Sequence, residues 1–136
     1  MAKTSRNKDI FMKEIKSIYK EMQKKSTGCF KDGEGDIFYL LNGKYHRLDG
    51  PAIEYPAGGK YWYLHGKYHR SDGPAIERSN GDKCWYLYGK VHRLDGPAIE
   101  LSTGTKWWYL HGEEAESEKQ FWDPNWRKRL EIERFL

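Results

Sequence analysis

Hydrophobic positions along the chain follow two different periods. Near the N-terminus, Phe11, Ile15, Ile18 and Met22 recur at steps of four, three and four. That spacing puts them on one face of an amphipathic helix. Lys13, Lys16, Lys20 and Lys24 populate the remainder. Asp9 is read as the N-cap, Ser26-Thr27-Gly28 as the end, and residues 1–8 as a frayed lead. Beyond residue 35 the pattern changes to short aromatic blocks: Phe38-Tyr39-Leu40-Leu41, Tyr61-Trp62-Tyr63-Leu64, Cys84-Trp85-Tyr86-Leu87 and Trp107-Trp108-Tyr109-Leu110. They recur every 23 residues and are bounded by turn residues, which is the pattern of β-hairpins.

The block after each aromatic run repeats almost letter for letter. His46-Arg47-Leu48-Asp49-Gly50-Pro51-Ala52-Ile53-Glu54 returns from His69 to Glu77 and again from His92 to Glu100. A fixed period of this size marks an array of small units, none large enough to fold alone. Asn42-Gly43 is a type I′ hairpin turn, with His65-Gly66 and Tyr88-Gly89 as its equivalents. A second turn is read at Asn80-Gly81, echoed by Ala57-Gly58 and Thr103-Gly104. Two-residue turns at both places would set Leu87 opposite Lys90, Tyr86 opposite Val91, Trp85 opposite His92, Ile76 opposite Trp85 and Glu77 opposite Cys84. Ile76, Leu87, Trp85 and His92 would then share a face. Asp72-Gly73-Pro74 either reverses the chain, giving three strands per repeat, or bulges from one long strand, giving two.

The last copy breaks off. Where His-Arg is due, the chain continues with Glu113-Glu114-Ala115-Glu116. Ser117-x-x-Gln120 predicts a capping box, and Asp123-Pro124 opens a further helix with Trp122, Trp126, Leu130 and Phe135 on its apolar face. The expected architecture is therefore mainly β with terminal helices (α+β). It is an elongated, twisted antiparallel sheet of stacked hairpin repeats at 32–112, capped by an N-terminal helix and linker at 1–31 and a C-terminal helical cap at 113–136.

Charge refines this division. Residues 1–31 carry nine Lys/Arg against three Asp/Glu, residues 32–112 ten of each, and residues 113–136 five against seven. A nucleic-acid-binding array would carry its basic excess along the repeats; here the repeats are neutral. No apolar run approaches the ~20 residues of a membrane span, and no apolar signal-peptide region is present. Two cysteines without CxxC spacing suit a reducing, cytoplasmic compartment.

His46, His69 and His92 lie two strands apart, about 10 Å, which is too far for one zinc ion with ligands at roughly 2.1 Å. They are read as stacking on Tyr39, Trp62 and Trp85. Arg47, Arg70 and Arg93 are read as pairing with carboxylates such as Glu54 and Glu77, and Asp49, Asp72 and Asp95 as satisfying turn amides. Residues that build the unit must recur in every unit, so the positions that vary are the better functional candidates. Asn42, His65, Tyr88 and His111 vary at the tips, Tyr55, Arg78 and Leu101 at the opposite turns, and Tyr61, Cys84 and Trp107 between them. Tyr55, Tyr61, His65, Arg78, Tyr88, Trp107 and His111 are selected as protein-binding residues. Lys13, Lys16, Lys20 and Lys24 are the phosphate-binding candidates. No nucleophile–base pair, P-loop, GxGxxG or carboxylate dyad stands out, so no enzyme, cofactor or metal is expected.

The units over residues 35–112 resemble the HRxDGPA repeats of bacteriophage and giant-virus proteins. They are similar, more distantly, to MORN repeats, which form elongated sheets of stacked hairpins and are linked to lipid and protein binding. The acidic helical tail also looks typical of these viral proteins. The resemblance implies a non-enzymatic protein-binding module made by a phage or virus, acting in the host cytoplasm on a host protein such as a defence-system component, and inhibiting it. The alternative expectation is a nucleic-acid or nucleotide-binding protein using the basic helix and the repeat aromatics. An open aromatic face would also suit a homodimer.

Overall fold

The structure is a computed structural model. It describes the backbone of residues 2–134 and every side chain in that span except those of residues 2–7, 19–20 and 22–25. The side chains of Lys20, Met22 and Lys24, and all of Phe135, lie outside the described residues.

The chain is mainly antiparallel β, with one helix before the sheet and two after it. Helix α1 runs Ala2–Lys25, so Asp9 is interior rather than its N-cap. Residues 2–8 contain neither Gly nor Pro, and nothing in them stops the helix from extending back past Asp9. Strands β1 (Gly28–Lys31) and β2 (Ile37–Leu41) open the main sheet. After β2 it takes two short strands from each repeat: Ile53–Glu54, Lys60–Tyr61, Ile76–Glu77, Lys83–Cys84, Ile99–Glu100 and Lys106–Trp107, paired in that order. Two rows cross these strands. One is apolar: Phe38, Ile53, Tyr61, Ile76, Cys84, Ile99, Trp107. The other alternates in charge: Glu54, Lys60, Glu77, Lys83, Glu100, Lys106. Opposite charges facing each other favour this pairing over one slipped by a residue.

The register at the second turn differs from the expected one by a residue. Ile76 pairs with Cys84, not Trp85, and Glu77 with Lys83. The turn is a three-residue loop. Arg78 N donates to Asp82 O at 2.9 Å, Gly81 N to Arg78 O at 3.0 Å, and Gly81 has φ +94°. A type I turn closed by a left-handed glycine adds one residue. That moves Trp85 to the face opposite Ile76. The tips are as expected: Leu87 pairs with Lys90 and Tyr86 with Val91. Asn42, His65, Tyr88 and His111 have φ of 47–51°, and each precedes a positive-φ glycine.

The Asp-Gly-Pro block is neither a chain reversal nor a one-residue bulge but a longer loop. Each repeat has two short strands in the main sheet and two more, such as Tyr63–Leu64 and Lys67–Tyr68, paired in a hairpin of their own. Trp62 N donates to Ala75 O at 2.8 Å, while Trp62 O accepts from His69 N at 3.1 Å. One tryptophan thus bridges both ends of a loop that leaves the ladder between residues 69 and 75. Tyr39 and Trp85 do the same for the loops at 46–52 and 92–98.

The two ends of the stack close differently. At the first, Gly43 N donates to Ser26 O and Asn42 N to Thr27 Oγ1. One repeat on, Gly66 N donates to Tyr45 O and His65 N to His46 Nδ1. The Thr27 hydroxyl stands where later copies place an imidazole. Ile10, Phe11, Met12, Ile15 and Ile18 of α1 are exposed. At the other end, α2 (Glu118–Phe121) and α3 (Pro124–Glu133) carry the expected caps, Ser117 and Asp123-Pro124. Their core is Leu110, Ala115, Phe121 and Leu130, with Trp108 and Trp126 against it. Phe121, fully buried, takes the place expected of Trp122, which is half exposed. Among the described residues no helix is long and apolar enough to cross a membrane.

Candidate binding grooves

Each excursion is organised by its arginine. The guanidinium carbons of Arg47, Arg70 and Arg93 lie 3.9 Å from the ring centroids of Tyr39, Trp62 and Trp85. It is the arginine, not the histidine, that stacks on these rings, because the register turns Trp62 toward the loop. Each Arg Nε donates to the Asp two residues on, at 2.8–3.0 Å. Each Nη1 donates to the proline carbonyl at 3.1 Å. Arg70 and Arg93 also reach Glu77 and Glu100, at 3.3 and 3.1 Å. The glycine leaves room for this packing. A Cβ on Gly50, Gly73 or Gly96 would sit 2.9–3.0 Å from the guanidinium carbon. The pairing holds the Asp49 and Asp72 carboxyls below the usual range, through the arginine hydrogen bond first. It also turns charge outward: the arginine side chains are 21–23% exposed, the three aspartates 81–85%.

Consecutive excursions enclose a groove. The first has Trp62, Leu64 and His69 as its floor, walls at 47–51 and 70–72, and a volume of about 590 Å³. The second repeats it at Trp85, Leu87 and His92, between 70–74 and 93–95, at about 650 Å³. Leu48 and Leu94 are exposed on the walls. A third copy begins at Leu94 but is filled by the chain itself. Trp108, Leu110 and Ala115 stand where Trp85, Leu87 and His92 stand, and Phe121, Trp126 and Leu130 pack onto them. Arg127 Nη2 donates to Leu94 O at 2.9 Å. Leu110 is accordingly 3% exposed, whereas Leu64 and Leu87 are only half-buried.

The histidines hold the hairpin tips. Nδ1 of His46, His69 and His92 accepts the backbone N–H of His65, Tyr88 and His111 at 2.9–3.0 Å. The rings also touch, with centroids 4.2–4.4 Å apart, tilted at His46–His65 and His69–Tyr88 and stacked at His92–His111. An accepting nitrogen must be unprotonated. Burial lowers the pKa of His46 and His69, and lowers that of His92 to about 4, with His111, Arg134 and Arg127 adding to the shift. Among the described residues no group of three His, Cys, Asp or Glu is placed to hold a metal ion.

The selected protein-binding residues do not converge on one site. His65, Tyr88 and His111 form a row at the tips. Tyr55 packs edge-on against Tyr61 at 5.6 Å, and Arg78 lies 3.7 Å from Asp82, both near the opposite turns. Trp107 continues the apolar row through Ile99. Lys13 and Lys16 are exposed on α1. The grooves are built from the repeated residues, which the sequence pattern alone marks as structural. Their signal in the sequence is the last copy, where Ala115-Glu116 replaces His-Arg just before an aromatic helix. Comparison of the chain with protein-family models, curated proteins and solved structures finds no match.

Proposed function

We propose that the chain is a non-enzymatic protein-binding repeat module, made by a phage or virus, that binds and inhibits a host protein such as a defence-system component in the host cytoplasm. The viral source and the host target rest on the resemblance of residues 35–112 to HRxDGPA and MORN-like repeats. The observation that carries the binding role is the pair of like grooves one repeat apart, each with an indole, a leucine and an imidazole at its base. Apolar floors under polar walls are the anatomy of protein-binding surfaces. The array is charge-neutral, which suits a protein surface better than a phosphate backbone.

The test is capture of partners by the tagged full chain from host lysate, with and without nuclease. A stoichiometric protein that survives nuclease is the expected result. Recovery only of nucleic acid, weakening steeply with salt and lost when Lys13, Lys16, Lys20 and Lys24 become glutamine, would replace this reading with nucleic-acid binding. A species of twice the mass and no other partner would make the chain a homodimer instead.

A further inference from the structure

The third groove shows what the other two are shaped to receive. The Trp-Leu pair that lines open grooves at Trp62-Leu64 and Trp85-Leu87, beside a histidine and a stacked arginine, is covered at Trp108-Leu110, where Ala115 and Glu116 replace those two residues, by a helical segment. That segment contributes a fully buried phenylalanine, a half-buried tryptophan, a buried leucine and an arginine bonded to the carbonyl of the wall residue. The carbonyls equivalent to Leu94 O are those of Leu48 and Ser71. Charge points the same way. The repeat arginines are drawn into stacks and carboxylates, while Asp49, Asp72 and Asp95 face solvent. A segment entering a groove therefore meets exposed carboxylates at the rim, each paired with its arginine. Among the described residues, the one basic contact that the chain's own acidic segment makes there is Arg127 on the carbonyl of Leu94.

We propose that the two open grooves each dock a short helical segment of a partner protein, anchored by an aromatic side chain on the Trp-Leu floor and by an arginine on the carbonyl of Leu48 or Ser71. The chain's C-terminal helices are an internal copy of that ligand. Helix-in-groove recognition of this kind uses anchors spaced along one face of the partner. The inference rests on the protein-binding reading and adds the chemistry of the occupant. The grooves lie two strands apart, roughly 10 Å, so one partner with two anchors could span both and bind more tightly than either site alone.

The experiment uses the full chain with a synthetic peptide of its residues 113–136 as the probe. Leucine methyl signals are followed by NMR and affinity by calorimetry. The expected result is saturable binding below about 1 mM, with up to two peptides per chain and shifts at Leu48, Leu64, Leu87 and Leu94. Replacing the peptide's Phe121 with Ala, or its Arg127 with Gln, should weaken binding about tenfold or more. In the chain, Leu48→Asp with Leu94→Asp alters only exposed side chains. It should weaken the peptide about tenfold at each groove without moving the thermal midpoint. Leu64→Glu with Leu87→Glu serves as a second, floor-directed pair. Absence of saturable binding, or binding that ignores all four leucines, overturns the inference. So does self-association of the chain that is lost on Phe11→Ser and blocks the grooves, because α1 of a second copy would then be the occupant. If peptide binding fails while the chain still captures a nuclease-resistant partner through His65, Tyr88 or Tyr55, the groove inference falls and the protein-binding reading stands.

Discussion

The two ends of the stack both carry a helix with an apolar face, yet they treat it in opposite ways. At the C-terminal end Phe121 is 0% exposed, between Leu110, Ala115 and Leu130. At the N-terminal end Phe11 is 60% exposed. The difference lies in what each end lacks. The C-terminal end lacks a repeat loop to close over Trp108 and Leu110, and α2 and α3 replace it. The N-terminal end lacks only hydrogen-bond partners for one hairpin tip. Ser26 and Thr27 supply them, and β1 pairs with β2. An amphipathic pattern states that a face is available for burial. What buries it is decided by the vacancy beside it.

The largest test of this contrast is Phe121→Ala against Phe11→Ala. Truncating a fully buried phenylalanine costs about 3–5 kcal/mol; truncating an exposed one costs about 0.5 kcal/mol or less. Urea unfolding of the two variants should separate them by several kcal/mol. Similar losses would mean that α1 is buried in solution.

Next in size is acid sensitivity. His92 sits under the C-terminal helices with its pKa lowered from 6.5 to about 4. A base whose folded pKa is depressed favours the folded state while neutral. Its contribution is complete above about pH 6.5 and is lost as pH falls toward 4, roughly 3 kcal/mol in all. The urea midpoint should fall between pH 7.5 and 4.5, and His92→Gln should remove much of that fall. His46, next to the first tip and away from the C-terminal helices, has a pKa lowered by burial first and then by His65, and His46→Gln should change the pH dependence less. Equal effects would break the link between the C-terminal helices and the shift at His92.

Much of the fold was legible because repetition averages out local ambiguity. Three copies of one block made the period and the type I′ tips legible, but not that Gly28–Lys31, expected as linker, joins the sheet, or that Glu113–Glu114, expected in the helical cap, pairs with Tyr109–Leu110. The slip at the second turn was not legible. Asn-Gly signals a tight turn but does not state whether the loop holds two or three residues, and one residue reverses every face beyond it. The misplaced histidine stacking has another cause: the tip register does set Trp85 opposite His92, but Arg93 lies on the Trp85 ring while His92 Nδ1 turns to the backbone N–H of His111. The grooves were missed for a different reason. A residue that recurs in every copy reads as structural, but in an array a recurring binding site repeats with the scaffold that builds it.

A smaller effect separates the repeat loops from their replacement. Gly73 lets the Arg70 guanidinium lie against the backbone, held on Trp62, Asp72, Glu77 and Pro74 O. Gly73→Ala should expel it and cost about 1–2 kcal/mol. In the last copy Glu116 replaces the arginine, and the position equivalent to the glycine is Lys119, inside α2. Lys119→Ala should therefore leave stability unchanged within about 0.5 kcal/mol. Thermal melts of the two variants decide whether the glycine serves the arginine or only the loop.

The smallest effect is at the tips. Tyr88 holds φ 47°, a region that costs a residue with a Cβ roughly 1 kcal/mol and that asparagine tolerates better. Asn42 fills the same position at the first tip with φ 51° and no ring partner of its own kind. Tyr88→Asn relieves the backbone but removes the ring 4.2 Å from His69, a contact worth about 0.5–1 kcal/mol. The two terms nearly cancel, and the expected net change is within about 0.5 kcal/mol. At the last tip, His111 stacks on His92 and meets Arg134 at 3.5 Å beside the C-terminal helices. His111→Asn gains the same backbone relief and loses more, so it should destabilise where Tyr88→Asn does not. If both were neutral, the C-terminal helices would be resting on the floor of the third groove alone, and the tip would take no part in seating them.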